Sequence, residues 1–229
     1  MNDSKPPTDP RFDILYEDGQ ILVVNKPSGL LSVPGRGDHL ADCMESRCQE
    51  KFPLARTVHR LDMDTSGVMV LAIGPEVHRS LNKLFADRAV EKHYAAWVTG
   101  EVAGTSGEIA LPLSADWPNR PRQKVDPVSG KPSLTRWRVT ARRAGSTALI
   151  LSPVTGRTHQ LRVHCAAIGH PVLGDRLYGS PEVRKMAPRL QLHAETLAFP
   201  HPVTSEPLSF HVPSSLTGPL ERAVRENAP

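Results

Sequence analysis

The densest run of chemically capable side chains is Val58-His59-Arg60-Leu61-Asp62-Met63-Asp64-Thr65-Ser66-Gly67. A carboxylate beside arginine stays ionised at neutral pH and can act as nucleophile or base. A buried aspartate needs a cationic partner, and the planar fork of arginine suits it. A second run, Gly156-Arg157-Thr158-His159-Gln160-Leu161-Arg162-Val163-His164, supplies one. On a helix Arg162 shares a face with Thr158 and Cys165 and is expected to aim its guanidinium at Asp62. Plainer roles stay open: Asp62 can cap a turn, and Asp64 can bind the amides of its own loop. The histidines do not read as a metal site. His159 and His164 are five apart, off a common helical face, and no HxxxH or HExxH occurs. No catalytic metal is expected.

These residues need elements to hold them. Phe12 to Asn25 reads as a hairpin, with Ile14-Leu15-Tyr16 and Ile21-Leu22-Val23-Val24 flanking the turn dipeptide Asp18-Gly19. A Pro/Gly loop follows from Lys26 to Gly35. A helix capped by Asp38 is expected to Lys51. The Asp62 cluster immediately precedes the apolar run Gly67 to Ile73, a strand, so it is a turn feeding a sheet. Pro75 to Asp87 places Val77, Leu81, Leu84 and Phe85 on one face of a helix that starts with proline. Strands are expected at Val90 to Val98, Leu134 to Thr140, Thr147 to Leu151, Leu190 to Phe199 and Leu208 to Val212, and a helix at Thr158 to Ile168. The proline-rich stretch Ser114 to Pro132 reads as a long loop. Many strands with a few interspersed helices read as α+β, mixed α and β in one domain. Residues 1–11 read as a flexible N-terminal tail and 214–229 as a C-terminal tail.

The charge is concentrated. Between Ser114 and Gly145 there are eight cations (Arg120, Arg122, Lys124, Lys131, Arg136, Arg138, Arg142 and Arg143) against Asp116 and Asp126. This net +6 exceeds the +4 of the whole chain. With Trp117 in the segment and Trp137 near it, such a field suits nucleic acid. A solvated basic face without a ligand is the plainer alternative.

Composition sets the outer limits. At 229 residues with 39% hydrophobic and 23% charged residues, the chain suits one sizeable soluble domain. It shows no apolar run of membrane-spanning length and no signal peptide. Three cysteines, Cys43, Cys48 and Cys165, without CxxC spacing suggest thiols in a reducing compartment. The expected location is cytoplasmic, with no membrane association.

The motifs, taken in order, resemble the RluA family of pseudouridine synthases. His59-Arg60-Leu61-Asp62-Met63-Asp64-Thr65-Ser66-Gly67 is similar to the family signature. Lys26-Pro27-Ser28-Gly29 is similar to its KPxG segment, Lys92-His93-Tyr94 to its K-x-Y segment, and Gly156 to His164 to its third motif. Gly174-Asp175-Arg176-Leu177-Tyr178-Gly179 is similar to a further one. The resemblance spans 12–213 and implies a single catalytic domain there, a mixed, mostly antiparallel central sheet flanked by helices and loops, and a cofactor-independent isomerase that flips a uridine out of RNA, breaks its glycosidic bond and reattaches the base through C5. It assigns Asp62 as the catalytic carboxylate, either nucleophile or base in a glycal route. It assigns Tyr94 as the tyrosine packed on the target base, and Arg162 as the partner of Asp62. Arg60 and His59 lie beside Asp62 and are expected to bind RNA, with Arg60 placed to replace the extruded base in the RNA stack.

Lys26 to Gly35 and Asp116 to Pro121 are similar to the dual-specificity members, which implies 23S rRNA and tRNA anticodon stem-loops as substrates. Trp117, Arg120, Arg122 and Lys124 would grip that RNA through phosphates and shape. The hairpin beginning at Phe12 leaves no room for the S4-type RNA-binding domain of larger relatives, so none is expected. A monomer without an obligate protein partner is expected. Two other readings remain: a non-catalytic RNA-binding protein on the same fold, and a metal-dependent phosphodiesterase using His59, Asp62 and Asp64.

Overall fold

The computed structural model describes residues 12–216, so the tail expected at 1–11, and all but 214–216 of the tail expected at 214–229, lie outside the described residues. In chain order the strands are β1 (Asp13–Glu17), β2 (Ile21–Lys26), β3 (Ala55–Thr57), β4 (Ser66–Ile73), β5 (Glu91–Thr99), β6 (Ser106–Ala110), β7 (Leu113–Ala115), β8 (Gln123–Val125), β9 (Leu134–Arg143), β10 (Ser146–Pro153), β11 (Leu192–Pro200) and β12 (Pro207–His211). The helices are α1 (Met44–Gln49), α2 (Pro75–Ala86), α3 (Gln160–Ala167) and α4 (Pro181–Lys185). The content is α+β, as expected. The described chain divides into two compact units, 12–92 with 194–214, and 93–193 with 215–216.

In the first unit β2 pairs antiparallel with β1 on one side and β4 on the other, β3 adds to the far end of β4, and β12 pairs with β11. Ile21 to Val24 and Val68 to Ala72 are fully or almost fully buried. Strands covered on both faces lose the polar alternation of a half-buried strand, which is why β4 reads as a continuous apolar run. Helix α2 buries Leu81 completely against Val23, Val70, Leu197 and others, with Val77, Leu84 and Phe85 partly covered. Gly67 is obligatory. Its φ is +118°, and a Cβ there would lie 2.2 Å from the carbonyl oxygen of Ala194.

The helix expected from Asp38 starts later. Residues Asp38–Leu40 form a single 3-10 turn, and α1 opens after Cys43. Cys43 Sγ accepts the Ser46 N–H at 3.3 Å, and Ser46 Oγ accepts the Cys43 N–H at 3.0 Å. A sulfur serves here as the cap acceptor, which capping preferences do not anticipate.

In the second unit the order is β5-β10-β9-β6, each neighbouring pair antiparallel. Ala96, Val98, Leu149, Leu151, Leu161, Cys165 and Val172 form its core. Trp97 belongs to a second cluster with Leu173, Val183 and Leu216, and its indole N–H donates to the Leu216 carbonyl at 3.3 Å. The chain is therefore still packed just beyond residue 213.

The stretch Ser114 to Pro132 is not structureless. β7 and β8 pair in register from Leu113↔Val125 to Ala115↔Gln123, around a 3-10 turn at Trp117–Asn119. Asp126 closes the outgoing arm, accepting from Ser114 Oγ at 2.9 Å and from the Ser129 N–H at 2.9 Å. Strands of three residues carry no readable periodicity. The same shortness hid β3. All three cysteines are free and buried, and no helix among the described residues is long and apolar enough to cross a membrane.

Candidate active site

Asp62 sits on the turn that links β3 to β4, and its backbone neighbours are clamped from the segment after β2. Lys26, fully buried, donates from Nζ to the carbonyls of Pro27 at 2.9 Å, Leu30 at 2.6 Å and Met63 at 3.1 Å. Three acceptors match the three N–H donors of an ammonium. Burial pushes the Lys26 pKa down, to about 7, while the charges of Asp62 and Asp64 push it back up.

Ser32 Oγ donates to the Leu61 carbonyl at 2.7 Å and accepts the Leu61 N–H at 3.0 Å. Ser28 Oγ donates to the Asp64 carbonyl at 2.7 Å, and the Gly29 N–H to Met63 O at 2.8 Å. Leu61 and Met63 are thus held on either side of Asp62. A turn closes the loop from Thr65 N–H to Asp62 O at 3.0 Å. Asp62 and Asp64 are both half-buried.

Lys26 and Ser32 are contributors that sequence reasoning missed. Their signal lay inside Lys26-Pro27-Ser28-Gly29 and the residues after it, which carried a resemblance and no assigned task. A lysine ending an apolar strand reads as a surface residue until the tertiary fold covers it.

Of the two polar residues His59 and Arg60 ahead of Asp62, Arg60 is exposed. His59 Nε2 accepts the Val70 N–H at 3.1 Å, and its ring stacks on Phe85 with centroids 4.7 Å apart. These contacts pin the loop to β4 and α2. Burial, with the Lys92 charge second, lowers its pKa to about 3.

A pH dependence follows. The unfolded chain protonates this histidine near 6.5, whereas the folded protein does so only near 3. Stability is full above 6.5 and falls as the pH drops below it. From pH 6.5 to 5 the expected loss is about 1–2 kcal/mol. Urea midpoints across this range should fall more steeply for wild type than for His59→Gln. Identical slopes would remove His59 from the account.

In the second unit Tyr94 lies on β5, opposite Leu151 of β10. Strand alternation places it with Ala96 and Val98, and it packs half-buried on the core cluster those residues belong to. Arg162, on α3, is 3% exposed. Its Nε donates to Asp175 Oδ2 and its Nη2 to Asp175 Oδ1, both at 2.8 Å. Asp175 is fully buried, and its Oδ1 also accepts the N–H groups of Leu177 at 2.8 Å and Tyr178 at 3.1 Å. Burial pushes the Asp175 carboxyl up, but the hydrogen bonds and charge of Arg162 with the two amides outweigh it and hold the pKa below its ordinary value. Sequence reasoning had considered only Asp62 as the partner of Arg162. Asp175 is an additional anchor that fixes one edge of the guanidinium, and its signal was Gly174-Asp175 in the last motif.

The rest of the third motif is structural. Gln160 Nε2 donates to Leu134 O and to Thr135 Oγ1, each at 3.0 Å, and its Oε1 accepts the Arg157 N–H at 3.0 Å. His164 Nδ1 lies 2.9 Å from Thr135 Oγ1 and its Nε2 lies 3.0 Å from the Leu111 carbonyl. Burial lowers the His164 pKa. Among the described residues no group of three His, Cys, Asp or Glu side chains is placed to hold a metal ion.

The basic segment presents its chemistry on the β7–β8 hairpin. Trp117 is 68% exposed, and the Arg120 guanidinium lies 3.3 Å from its ring centroid. Arg120 and Lys124 are exposed. Arg122, expected to contact RNA, is half-buried and donates from Nη2 to the Leu177 carbonyl, so it also anchors the hairpin.

Residues 20–167 match the family described as RNA pseudouridylate synthase. The chain is 50% identical over 215 residues to a protein of Escherichia coli (strain K12) named dual-specificity RNA pseudouridine synthase RluA, covering 93% of this chain and 98% of that protein. A protein of the same name in Pasteurella multocida (strain Pm70) is 49% identical over 209 residues, covering 91% and 95%. Among solved structures, human RNA pseudouridylate synthase domain containing 1 superposes with a TM-score of 0.75 at 29% identity, covering 96% of both chains. Human RNA pseudouridylate synthase domain containing 4 shares the fold, with a TM-score of 0.71 at 24% identity and 91% and 92% of the chains covered. The clamped aspartate loop and the buried arginine therefore stand in a sequence whose likeness runs nearly end to end with enzymes of one kind, and the chain belongs to the RNA pseudouridylate synthase family.

Proposed function

We propose that this RNA pseudouridine synthase modifies uridines in 23S rRNA and in the anticodon stem-loop of tRNAs, with Asp62 as its catalytic carboxylate. The observation that carries the assignment is the clamp on Leu61 and Met63, which presents Asp62 from a loop whose shape is set by Lys26 and Ser32. The choice of substrates rests on 50% identity to a dual-specificity relative across almost the whole of both chains.

The isomerisation breaks the bond between N1 of the uracil and C1′ of the ribose, turns the base and joins C5 to C1′. The proton on C5 is released. Asp62 acts at the ribose, either bonding to C1′ or removing a ribose proton to give a glycal. Tyr94 packs on the uracil and assists the loss of the C5 proton. Arg162, held by Asp175, is the cationic member of the catalytic set. No cofactor is required, because no redox change or external group donor is involved.

A stacked uridine is out of reach of a carboxylate, so the enzyme flips it at a cost of a few kcal/mol. Arg60, exposed beside Asp62, takes the vacated place in the stack. The β7–β8 hairpin grips the RNA with Trp117, Arg120, Arg122 and Lys124. The enzyme works as a monomer in the cytoplasm. Three buried free thiols agree with a reducing compartment.

The test is release of tritium from C5-labelled uridine, in a 23S rRNA fragment and in a tRNA anticodon stem-loop, with and without chelator. Release from both RNAs that survives chelator is expected. Binding without release would instead favour a non-catalytic RNA-binding protein, and release abolished by chelator a metal enzyme. For the hairpin, Arg120→Ala with Lys124→Ala should reduce the slope of log affinity against log salt by about 1.5, the share of two phosphate contacts. An unchanged slope would remove the hairpin from the RNA interface.

A further inference from the structure

The β7–β8 hairpin stands on a polar network centred on Tyr178, a residue that the mechanism above leaves unused. The Tyr178 hydroxyl accepts the backbone N–H of Gln123, the first residue of β8, at 2.8 Å. The same hydroxyl is hydrogen bonded to Nδ1 of His159 at 2.7 Å. The Tyr178 backbone N–H donates to Asp175 Oδ1 at 3.1 Å. The ring lies 5.3 Å from the guanidinium carbon of Arg162 and meets the His159 ring edge-on at 5.7 Å. One residue earlier, the Leu177 carbonyl accepts from Arg122 Nη2.

A single side chain thus touches a strand of the hairpin, the ion pair of Arg162 with Asp175, and the residue that opens α3. That opening residue, His159, is in the left-handed region at φ 53°. A non-glycine residue holds such a conformation where its surroundings demand it, and the bond to Tyr178 is one such demand. The hairpin in turn needs an anchor. Two strands of three residues are marginal by themselves in water, so their direction depends on what their outer donors meet.

We infer that Tyr178 is a positioning residue that fixes the RNA-gripping hairpin relative to Arg162. The inference rests on the reading of the hairpin as an RNA-binding element, and it adds a specificity device to it. Tyr178 sets where Trp117, Arg120 and Lys124 stand when a stem-loop is engaged, and it does so from a residue that needs no contact with the RNA.

Tyr178→Phe tests this because it keeps the ring against Arg162 and His159 and removes only the hydroxyl. KM for the anticodon stem-loop should rise about tenfold, the weight of one to two net hydrogen bonds, while kcat holds near the wild-type value. Hydrogen exchange at the Gln123 amide should lose its protection. An unchanged KM overturns the inference, as does a fall in kcat, which would place Tyr178 at the chemistry. Retained protection at Gln123 overturns it too. The exchange measurement needs no turnover. A protein that releases no tritium would therefore refute the catalytic reading while this anchor is still judged by exchange.

Discussion

Asp62→Asn should slow tritium release from C5-labelled RNA by at least about 10³-fold, with RNA affinity and folding intact. The substitution is nearly isosteric, and the backbone on either side of Asp62 is clamped by other side chains. Lys26 holds Met63 by its carbonyl, and Ser32 holds both backbone groups of Leu61. The clamp therefore survives, and what disappears is a negative charge and its lone-pair basicity. A neutral amide serves as neither nucleophile nor base, so both routes open to Asp62 close together. Single-turnover release with a C5-labelled stem-loop gives the rate, and filter binding gives the affinity. Release within tenfold of wild type would exclude Asp62 from the chemistry. Weakened binding at an unchanged rate would make it a docking residue.

The second large effect is on stability. Asp175→Ala should cost about 3–5 kcal/mol, because it leaves the Arg162 guanidinium buried without its paired carboxylate. The N–H groups of Leu177 and Tyr178 lose an acceptor in the same step. That is a large part of the total for a domain whose net stability is of order 5–15 kcal/mol, and urea unfolding measures it directly. A loss below about 1 kcal/mol would mean that the pair is not the buried anchor described here. Replacing both partners, Arg162→Met with Asp175→Leu, should recover much of that stability, since apolar pairs of similar volume often match buried ion pairs. The double variant should nevertheless remain inactive. Recovery of stability without activity would separate what the pair does for the fold from what Arg162 does for the reaction.

The long elements were legible because burial imposes periodicity. β4 read as an apolar run and α2 as a helix beginning at Pro75, since each presents enough residues to one environment to show its pattern. The short elements were not. β3, β7 and β8 have three residues each, too few for alternation to register, and their pairing is decided by partners distant in the chain. α1 was placed several residues early because its cap is a cysteine sulfur, and α3 began late because His159 is held left-handed.

The candidate site divides in the same way. Asp62, Arg60, Tyr94 and Arg162 are candidates that motif resemblance supplies, because residue type and local order are properties of the chain. The concentration of cations after Ser114 is another, since charge is additive along a sequence. Lys26 and Asp175 could not be assigned a task. A lysine and an aspartate are ordinary surface residues until the fold removes water from them, and only then must each find its three carbonyls or its guanidinium. The part His59 plays in supporting its own loop is of the same kind, because it depends on Val70 and Phe85 lying against its ring. The chain by itself determined which groups are available for chemistry on RNA. The tertiary structure alone decided which are buried and how they are held, because desolvation and long-range hydrogen bonding have no counterpart in sequence order.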